Sequence, residues 1–139
     1  METQNKKPIA SFKDLEVYQN SYQAMLLVMK EIIPKLPGAE KFDLRDQLSR
    51  SCKAIPRLIA EGYAKRHQKS GFQKYLDDAM AEANETQVSL SQCLDIYPKF
   101  IDKNLCNDLV QEYEITGKQL YRLEESWNKF SRKPSNKKL

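Results

Sequence analysis

The sequence predicts an all-α fold, an antiparallel up-down-up-down four-helix bundle. Apolar residues recur at spacings of three and four along four long runs, which is the period of helices with one buried face. Only four of the 139 residues are glycine, and no run shows the alternation that is typical of strands. The segments between the runs are short, which favours antiparallel packing of consecutive helices.

The first helix is predicted within residues 11–36. Ser11 followed by Asp14 resembles a capping box and therefore indicates the start of a helix. Pro34 has no backbone N–H group, so we expect it to kink or fray the last turn. The predicted buried face of this helix consists of Phe12, Leu15, Tyr18, Tyr22, Met25, Leu26, Met29, Ile32, Ile33 and Leu36.

The second helix is predicted to begin after Asp43, a plausible N-cap residue. Pro56 removes one backbone hydrogen bond, so we expect a bend that gives the bundle a curvature suited to ring-like self-assembly. Gly62 has no side chain and should let a neighbouring helix approach closely. The predicted buried face is Leu44, Leu48, Cys52, Ile55, Ile59 and Tyr63.

The third and fourth helices are separated by a proline. The third should begin at Ser70 or Gly71 and end at Tyr97, because the residue before a proline disfavours helical backbone angles. The fourth should begin near Asp102 or Asn104 and end near residue 130. The predicted buried faces are Phe72, Leu76, Ala79, Met80, Ala83, Leu90 and Leu94 in the third helix, and Leu105, Leu109, Tyr113, Leu120, Leu123 and Trp127 in the fourth.

One folded domain, residues 11–130, is predicted between a flexible N-terminal arm (1–10) and a disordered basic tail (131–139). No apolar run reaches the roughly 18 residues that span a bilayer, and residues 1–10 lack the apolar segment of a signal peptide. The three cysteines are far apart and lie within helical patterns, so they are interpreted as small core or interface residues: Cys52, Cys93 and Cys106. These features predict a protein of the reducing cytoplasm.

Charge is unevenly distributed along the chain. Residues 41–74 carry nine basic and three acidic residues, whereas residues 75–130 carry five basic and eleven acidic residues. The tail adds four basic residues, and the whole chain has a formal net charge of +4. A basic face of this kind suits either a polyanion or the acidic face of a second copy of the chain.

The basic residues of the second helix and the turn after it form the candidate nucleic-acid site. Spacings of three and four place several on one side of the helix, and such clusters bind phosphate backbones. Tyr63, Phe72 and Tyr75 could provide stacking surfaces for unpaired bases. The alternatives are a solvated face and a subunit interface. The predicted contact residues are Arg45, Arg50, Lys53, Arg57, Lys65, Arg66, Lys69 and Lys74.

Residues with catalytic potential are few, and no catalytic residue, metal or cofactor is predicted. His67, the single histidine, is interpreted as a loop residue that could touch a phosphate. Glu61 lacks a catalytic companion and is expected to be partly buried, with Arg50 or the helix 3 amides Asn84 and Gln87 as its partner. A carboxylate row on the third helix leaves a small metal-dependent enzyme as a remote alternative: Asp78, Glu82 and Glu85.

Several stretches resemble the bacterial four helix bundle protein family. That family includes proteins encoded in intervening sequences of 23S ribosomal RNA genes and, more distantly, accessory variability proteins of diversity-generating retroelements. The chain departs from the family pattern at Ala54 and Leu58, where serine and asparagine are usual, and at Ala81–Glu82, where a Gly-Ser pair is usual. The matching stretches are "FKDLEVYQNSYQAM", "LPGAEKFDLRDQLSRSCKAIPRLIAEGYAKR", "FQKYLDDAMAEANET" and, more weakly, "GKQLYRLEESW".

This resemblance implies a homopentameric, barrel-like ring of bundles, no enzymatic activity and a connection with nucleic acid. Together with the charge pattern, it predicts a self-associating bundle that binds structured RNA, or DNA, as an accessory or scaffold factor in a ribonucleoprotein. The alternative is a scaffold for a protein partner, such as the reverse transcriptase of a diversity-generating retroelement.

Overall fold

The computed structural model describes residues 8–132, with side chains described as far as residue 129. It contains four α-helices, α1 (Glu16–Leu27), α2 (Leu44–Ala64), α3 (Gly71–Ile96) and α4 (Lys103–Arg132), and no strand within that range. The all-α prediction is therefore confirmed. No helix among these residues is both long and apolar enough to cross a membrane.

The predicted terminal segments fall largely outside this range. Residues 1–7 of the arm and 133–139 of the tail lie outside the described residues. Helix α4 is described as far as Arg132, two residues beyond the boundary predicted for the folded domain.

Contacts between α2 and α3 show that these helices run antiparallel. Gly62, near the end of α2, faces Tyr75, near the start of α3. In the middle of α2, the buried Ser51 hydroxyl accepts a hydrogen bond of 2.8 Å from the Thr86 hydroxyl. The order of contacts is thus opposite along the two helices.

Helix α4 runs antiparallel to α3 in the same way. Trp127, near the end of α4, packs edge-on against Phe72 at the start of α3, with ring centroids 5.2 Å apart. Near the start of α4, the Cys106 thiol donates a hydrogen bond of 3.5 Å to the Leu90 carbonyl oxygen. Helix α1 contacts both α2 and α4, so the four helices surround one core, as a four-helix bundle requires.

Helix α1 differs from its predicted face because the chain breaks before it. The capping box of Ser11 and Asp14 is confirmed, but it opens a short 3₁₀ turn, and the extended residue Leu15 separates that turn from α1. The break shifts the helical phase, so Tyr22 is 41% exposed while Ser21 and Ala24 are buried. After Leu27 the chain continues as a π-helix (Val28–Ile32) and a 3₁₀ turn that contains Pro34 (Ile33–Lys35), so regular α-helical structure ends before the proline.

Helix α2 begins after Asp43, which is its N-cap residue as predicted, although the Asp43 side chain makes no capping hydrogen bond. The Leu44 N–H group donates to Glu40 Oε1 (3.3 Å), whereas Asp43 Oδ1 accepts from the Gln47 side chain (3.2 Å). All six residues of the predicted α2 face are buried, and Pro56 is buried within a helix that runs from Leu44 to Ala64. Both boundaries of α3 and the start of α4 agree with prediction, because α3 begins at Gly71 and ends before Tyr97, and Asp102 Oδ1 accepts from the Leu105 N–H at the start of α4.

The three cysteines are buried and unpaired, as the sequence predicts for small core residues. Burial raises the pKa of the Cys52 and Cys93 thiols to about 12 and that of Cys106 to about 11. A thiol reacts as its thiolate, so all three are expected to be unreactive in the folded chain.

Candidate nucleic-acid interface

The eight predicted contact residues lie on the surface of α2, in the turn after it and, for Lys74, on the first turn of α3, and they do not form one patch. Six are exposed, and Arg45 and Arg66 are partly buried. At 1.5 Å per residue, Arg45 and Lys65 are about 30 Å apart along α2. The residues therefore divide into an α2 stripe (Arg45, Arg50, Lys53 and Arg57) and a turn cluster (Lys65, Arg66, Lys69 and Lys74).

The α2 stripe lies beside acidic residues. Arg50 Nε is 3.3 Å from Asp46 Oδ2, one turn earlier on the same helix. Across the interhelical surface, burial and the Glu85 carboxylate raise the pKa of Glu82, while the charges of Arg50 and Arg57 act in the opposite direction. The positive charge of the α2 stripe is thus partly offset within the chain, and the exposed ion pair adds little stability.

Residues 64–76, the segment that carries the turn cluster, contain no acidic residue. Acidic residues flank the segment, because Glu61 acts on the charge of Lys65 and Asp77 and Asp78 follow Lys74 on the same surface. Lys65 Nζ donates a hydrogen bond of 2.8 Å to Tyr75 Oη and lies 5.1 Å from the centre of that ring. The hydrogen bond raises the pKa of Lys65, which therefore stays protonated. Lys69 and Lys74 are exposed.

Arg66 closes the end of α2. Its Nη1 donates a hydrogen bond of 2.7 Å to the Tyr63 carbonyl oxygen, and its guanidinium lies 3.9 Å from the centre of the Tyr63 ring. A cation bonded to the last carbonyls of a helix stabilises the helix end. Ser70 then turns the chain in the left-handed conformation (φ 59°) before α3 begins.

Two of the three aromatic residues predicted to stack on bases are buried in the fold. Tyr63 and Phe72 are only 9% and 2% exposed, whereas Tyr75 is partly exposed and its hydroxyl accepts a hydrogen bond from Lys65. The prediction of stacking on Tyr63 and Phe72 is therefore wrong. They are near the basic residues in sequence, but the inward face of each helix carries them into the core.

A cleft of about 610 Å³ lies between the turn and the end of α4. Its lining includes the polar residues Arg66, His67 and Lys69 and two aromatic residues, the buried Phe72 and the partly buried Trp127. The sequence pattern assigned Trp127 to the core stripe of α4 and did not identify it as part of this cleft. Its position near the end of α4 could have indicated this. In an antiparallel bundle the last turns of the fourth helix lie beside the turn that joins the second and third helices.

Among the predicted structural residues, Gly62 is confirmed and Glu61 is corrected. A Cβ atom at Gly62 would lie 2.7 Å from Tyr75 Cβ, so the absence of a side chain permits the close approach of α3. Glu61 is exposed, one turn before Lys65, and the expectation of burial was wrong. Each residue of a helix is rotated about 100° from the previous one, and Gly62 and Tyr63 occupy the inward positions. Asn84 accepts instead from the Gln87 side chain at 3.5 Å.

A comparison with protein families matches residues 13–122 to the 23S rRNA-intervening sequence protein family. The chain belongs to this family. The match covers more than half of the chain and includes the whole turn cluster, whereas Trp127 lies beyond it. A comparison with curated proteins finds no match.

In this member of the 23S rRNA-intervening sequence protein family, the carboxylate row of α3 lies on the surface. Asp78 and Glu85 are exposed, and Glu82 is partly buried. Within residues 8–132, no three histidine, cysteine or acidic side chains are grouped so that they could hold a metal ion.

A second acidic pair joins α3 to α4 near the turn. Burial and the neighbouring carboxyl group of Asp77 raise the pKa of Glu124 to about 7, and a hydrogen bond with Gln73 acts in the opposite direction. An unfolded glutamate titrates near 4.5. Between these two values the folded state holds a proton that the unfolded state releases, so the stability of the fold decreases as the pH rises.

We expect Glu124→Gln to stabilise the protein at pH 8 by about 1 kcal/mol, after allowing for solvent screening of a partly exposed group. The variant should also lack the decrease in stability between about pH 4.5 and 7. Urea denaturation at pH 5 and pH 8 measures both effects. Glu125→Gln, a change at the exposed neighbouring residue, is the control, and equal gains in the two variants would contradict the prediction.

Proposed function

We propose that this protein is a non-enzymatic RNA-binding factor that contacts structured RNA through the turn cluster, with the α2 stripe as an extension. One observation carries the proposal. Lys65, Lys69 and Lys74 are exposed at one end of the bundle within a segment that has no acidic residue. Such a cluster releases counterions from a phosphate backbone when it binds.

The choice of RNA as the polyanion is supported by the family. Its name refers to an intervening sequence of 23S ribosomal RNA, and the turn cluster lies within the residues that match the family. A small bundle that grips the phosphates of a folded RNA would act as an accessory or scaffold factor in a ribonucleoprotein. DNA would meet the same cations, so it is the natural competitor in a binding experiment.

Salt dependence tests the proposal. We expect the affinity for a labelled RNA hairpin, measured by fluorescence anisotropy, to fall steeply as the salt concentration rises from about 50 to about 200 mM. Three to four phosphate contacts correspond to a slope of roughly −3 in a plot of log affinity against log salt. An affinity that does not change with salt would contradict the proposal, and an equally tight complex with duplex DNA would remove the preference for RNA.

We also propose that the protein self-associates as a ring of five copies and that it binds other proteins as well as RNA. Apolar side chains on the outward faces of α3 and α4 support it, because Val88, Ile115 and Tyr121 are 57%, 47% and 56% exposed. Sedimentation should give about five times the chain mass of 16.2 kDa. A monomer would contradict the proposal, and an unchanged oligomer in Pro56→Ala would show that the proline does not shape the ring.

A further inference from the structure

We propose that the cleft between the turn and the end of α4 receives one unpaired nucleotide of the bound RNA, with its base against Trp127 and its phosphate near Lys69 and His67. This inference rests on the proposed function, since it specifies which part of an RNA enters the site. The cleft, at about 610 Å³, lies within the size range of small-ligand sites.

The lining of the cleft combines groups that suit the two parts of a nucleotide. Arg66, His67 and Lys69 supply cationic and hydrogen-bonding groups, which suit a phosphate. Trp127 supplies an aromatic surface, which suits the flat face of a base. A simple anion would need only the polar groups. Bases within a duplex stay stacked on one another, so only an unpaired base can reach the tryptophan.

The tryptophan is held in place by a row of rings that leads into the core. Phe72 meets Trp127 edge-on, with centroids 5.2 Å apart and planes at 83°. Phe72 is itself buried and meets the Tyr63 ring in the same manner, at 6.1 Å. Because Trp127 is already ordered by these contacts, a base that stacks on it removes little additional side-chain freedom from the protein.

The polar side chains that line the cleft have separate roles. Arg66 is fixed to the carbonyl oxygen and the ring of Tyr63, so it serves mainly to hold the wall in place. His67 and Lys69 are exposed at the opening, where a phosphate can reach them. Lys65 and Lys74 lie on either side of the same turn and can contact the flanking phosphates of the strand.

Trp127 is the single tryptophan of the chain, so its fluorescence reports directly on this cleft. The experiment titrates the full chain with a single-stranded 12-nucleotide RNA and with the same RNA annealed to its complement. We expect the single strand to quench the tryptophan emission at the same concentrations at which anisotropy shows binding. The duplex should bind without quenching.

A variant measures how much the base contact contributes. Trp127→Leu should weaken single-strand binding about 10-fold while leaving duplex binding unchanged, and Trp127→Phe should restore most of the affinity. Circular dichroism checks that both variants fold. Equal quenching by both RNAs, or an unchanged affinity in a folded Trp127→Leu, would overturn the inference while leaving the proposed function intact.

Two further outcomes separate the inference from its premise. If no RNA binds in a salt-dependent manner, the proposed function itself fails, and the inference fails with it. If adenosine monophosphate quenches the tryptophan but the single-stranded RNA does not, the cleft binds free nucleotides and the assignment to an RNA strand is overturned.

Discussion

Replacing Lys65, Lys69 and Lys74 together by glutamate should weaken the binding of an RNA hairpin by about 100-fold or more. Each of these exposed lysines can form a charge-assisted hydrogen bond with a phosphate, and removing one such bond weakens binding by about 1 kcal/mol. The slope of log affinity against log salt should become less steep by about two to three units, since each phosphate contact contributes about 0.7 to 0.9. Fluorescence anisotropy at several salt concentrations measures both quantities.

A matched variant on the α2 stripe provides the control. Arg50, Lys53 and Arg57 replaced by glutamate change the net charge by the same amount, on the neighbouring part of the surface. We expect a smaller decrease in affinity, about 10-fold, because Asp46 and Glu82 already offset part of this charge. Equal decreases in the two triple variants, or a larger decrease from the α2 stripe, would contradict the assignment to the turn cluster.

Arg66 is left unchanged in both variants because it contributes to the stability of the fold as well as to the positive charge of the turn. Its bond to the Tyr63 carbonyl oxygen and its position over the Tyr63 ring secure the end of α2. The lysines lie on the exposed surface, and the hydrogen bond from Lys65 to Tyr75 that the variant loses is exposed as well, so thermal melting should show that the lysine variant folds like the original chain.

Local signals in the sequence predicted the helices well. The capping box at Ser11, the start of α4 after Asp102 and the end of α3 before Pro98 each depend on a few adjacent residues. The α1 face was less predictable. One extended residue, Leu15, shifts the phase of the helix, and nothing in the apolar spacing marks that break.

The exposed basic residues of the candidate site could be predicted from the sequence, but their contacts with other helices could not. Lysine and arginine are almost always at the surface, so a run of them predicts an exposed basic segment without knowledge of the fold. Which charges face one another depends on packing between helices. The effect of Arg50 and Arg57 on Glu82, and the meeting of Trp127 with the turn, arise from contacts between residues far apart in the chain.

Glu61 illustrates the same limit at the scale of a single residue. Its small and apolar neighbours suggested burial, and its position is close to the edge of the buried stripe. The packing of Gly62 against α3 decides the rotation of the helix and leaves the glutamate outside. An apolar sequence pattern locates the buried stripe of a helix to within about one residue. The position of a glycine at a close helix contact then shows which residues at the edge of the stripe face inward.

Replacing Gly62 by alanine should destabilise the fold by about 1–3 kcal/mol, the usual cost of overpacking a close contact. The new Cβ would lie 2.7 Å from Tyr75 Cβ and 3.1 Å from Phe72 Cδ1. A Cβ atom is fixed to its backbone, so relief requires α3 to move away from α2. Urea denaturation at constant pH measures the change in the free energy of unfolding.

Gly117→Ala is the matched control, since Gly117 also lies within a helix but a Cβ there would meet nothing within 4 Å. Alanine favours the helix over glycine by about 0.5–1 kcal/mol, so this variant should be more stable than the original chain. The same substitution therefore has opposite expected signs at the two positions. If Gly62→Ala were also stabilising, helix propensity would outweigh packing, and Gly62 would not be the point that sets the distance between α2 and α3.

The same substitution should also affect RNA binding. Because Tyr75 accepts a hydrogen bond from Lys65, a shift of α3 away from α2 should displace the turn cluster, so Gly62→Ala is expected to weaken RNA binding, whereas Gly117→Ala is not.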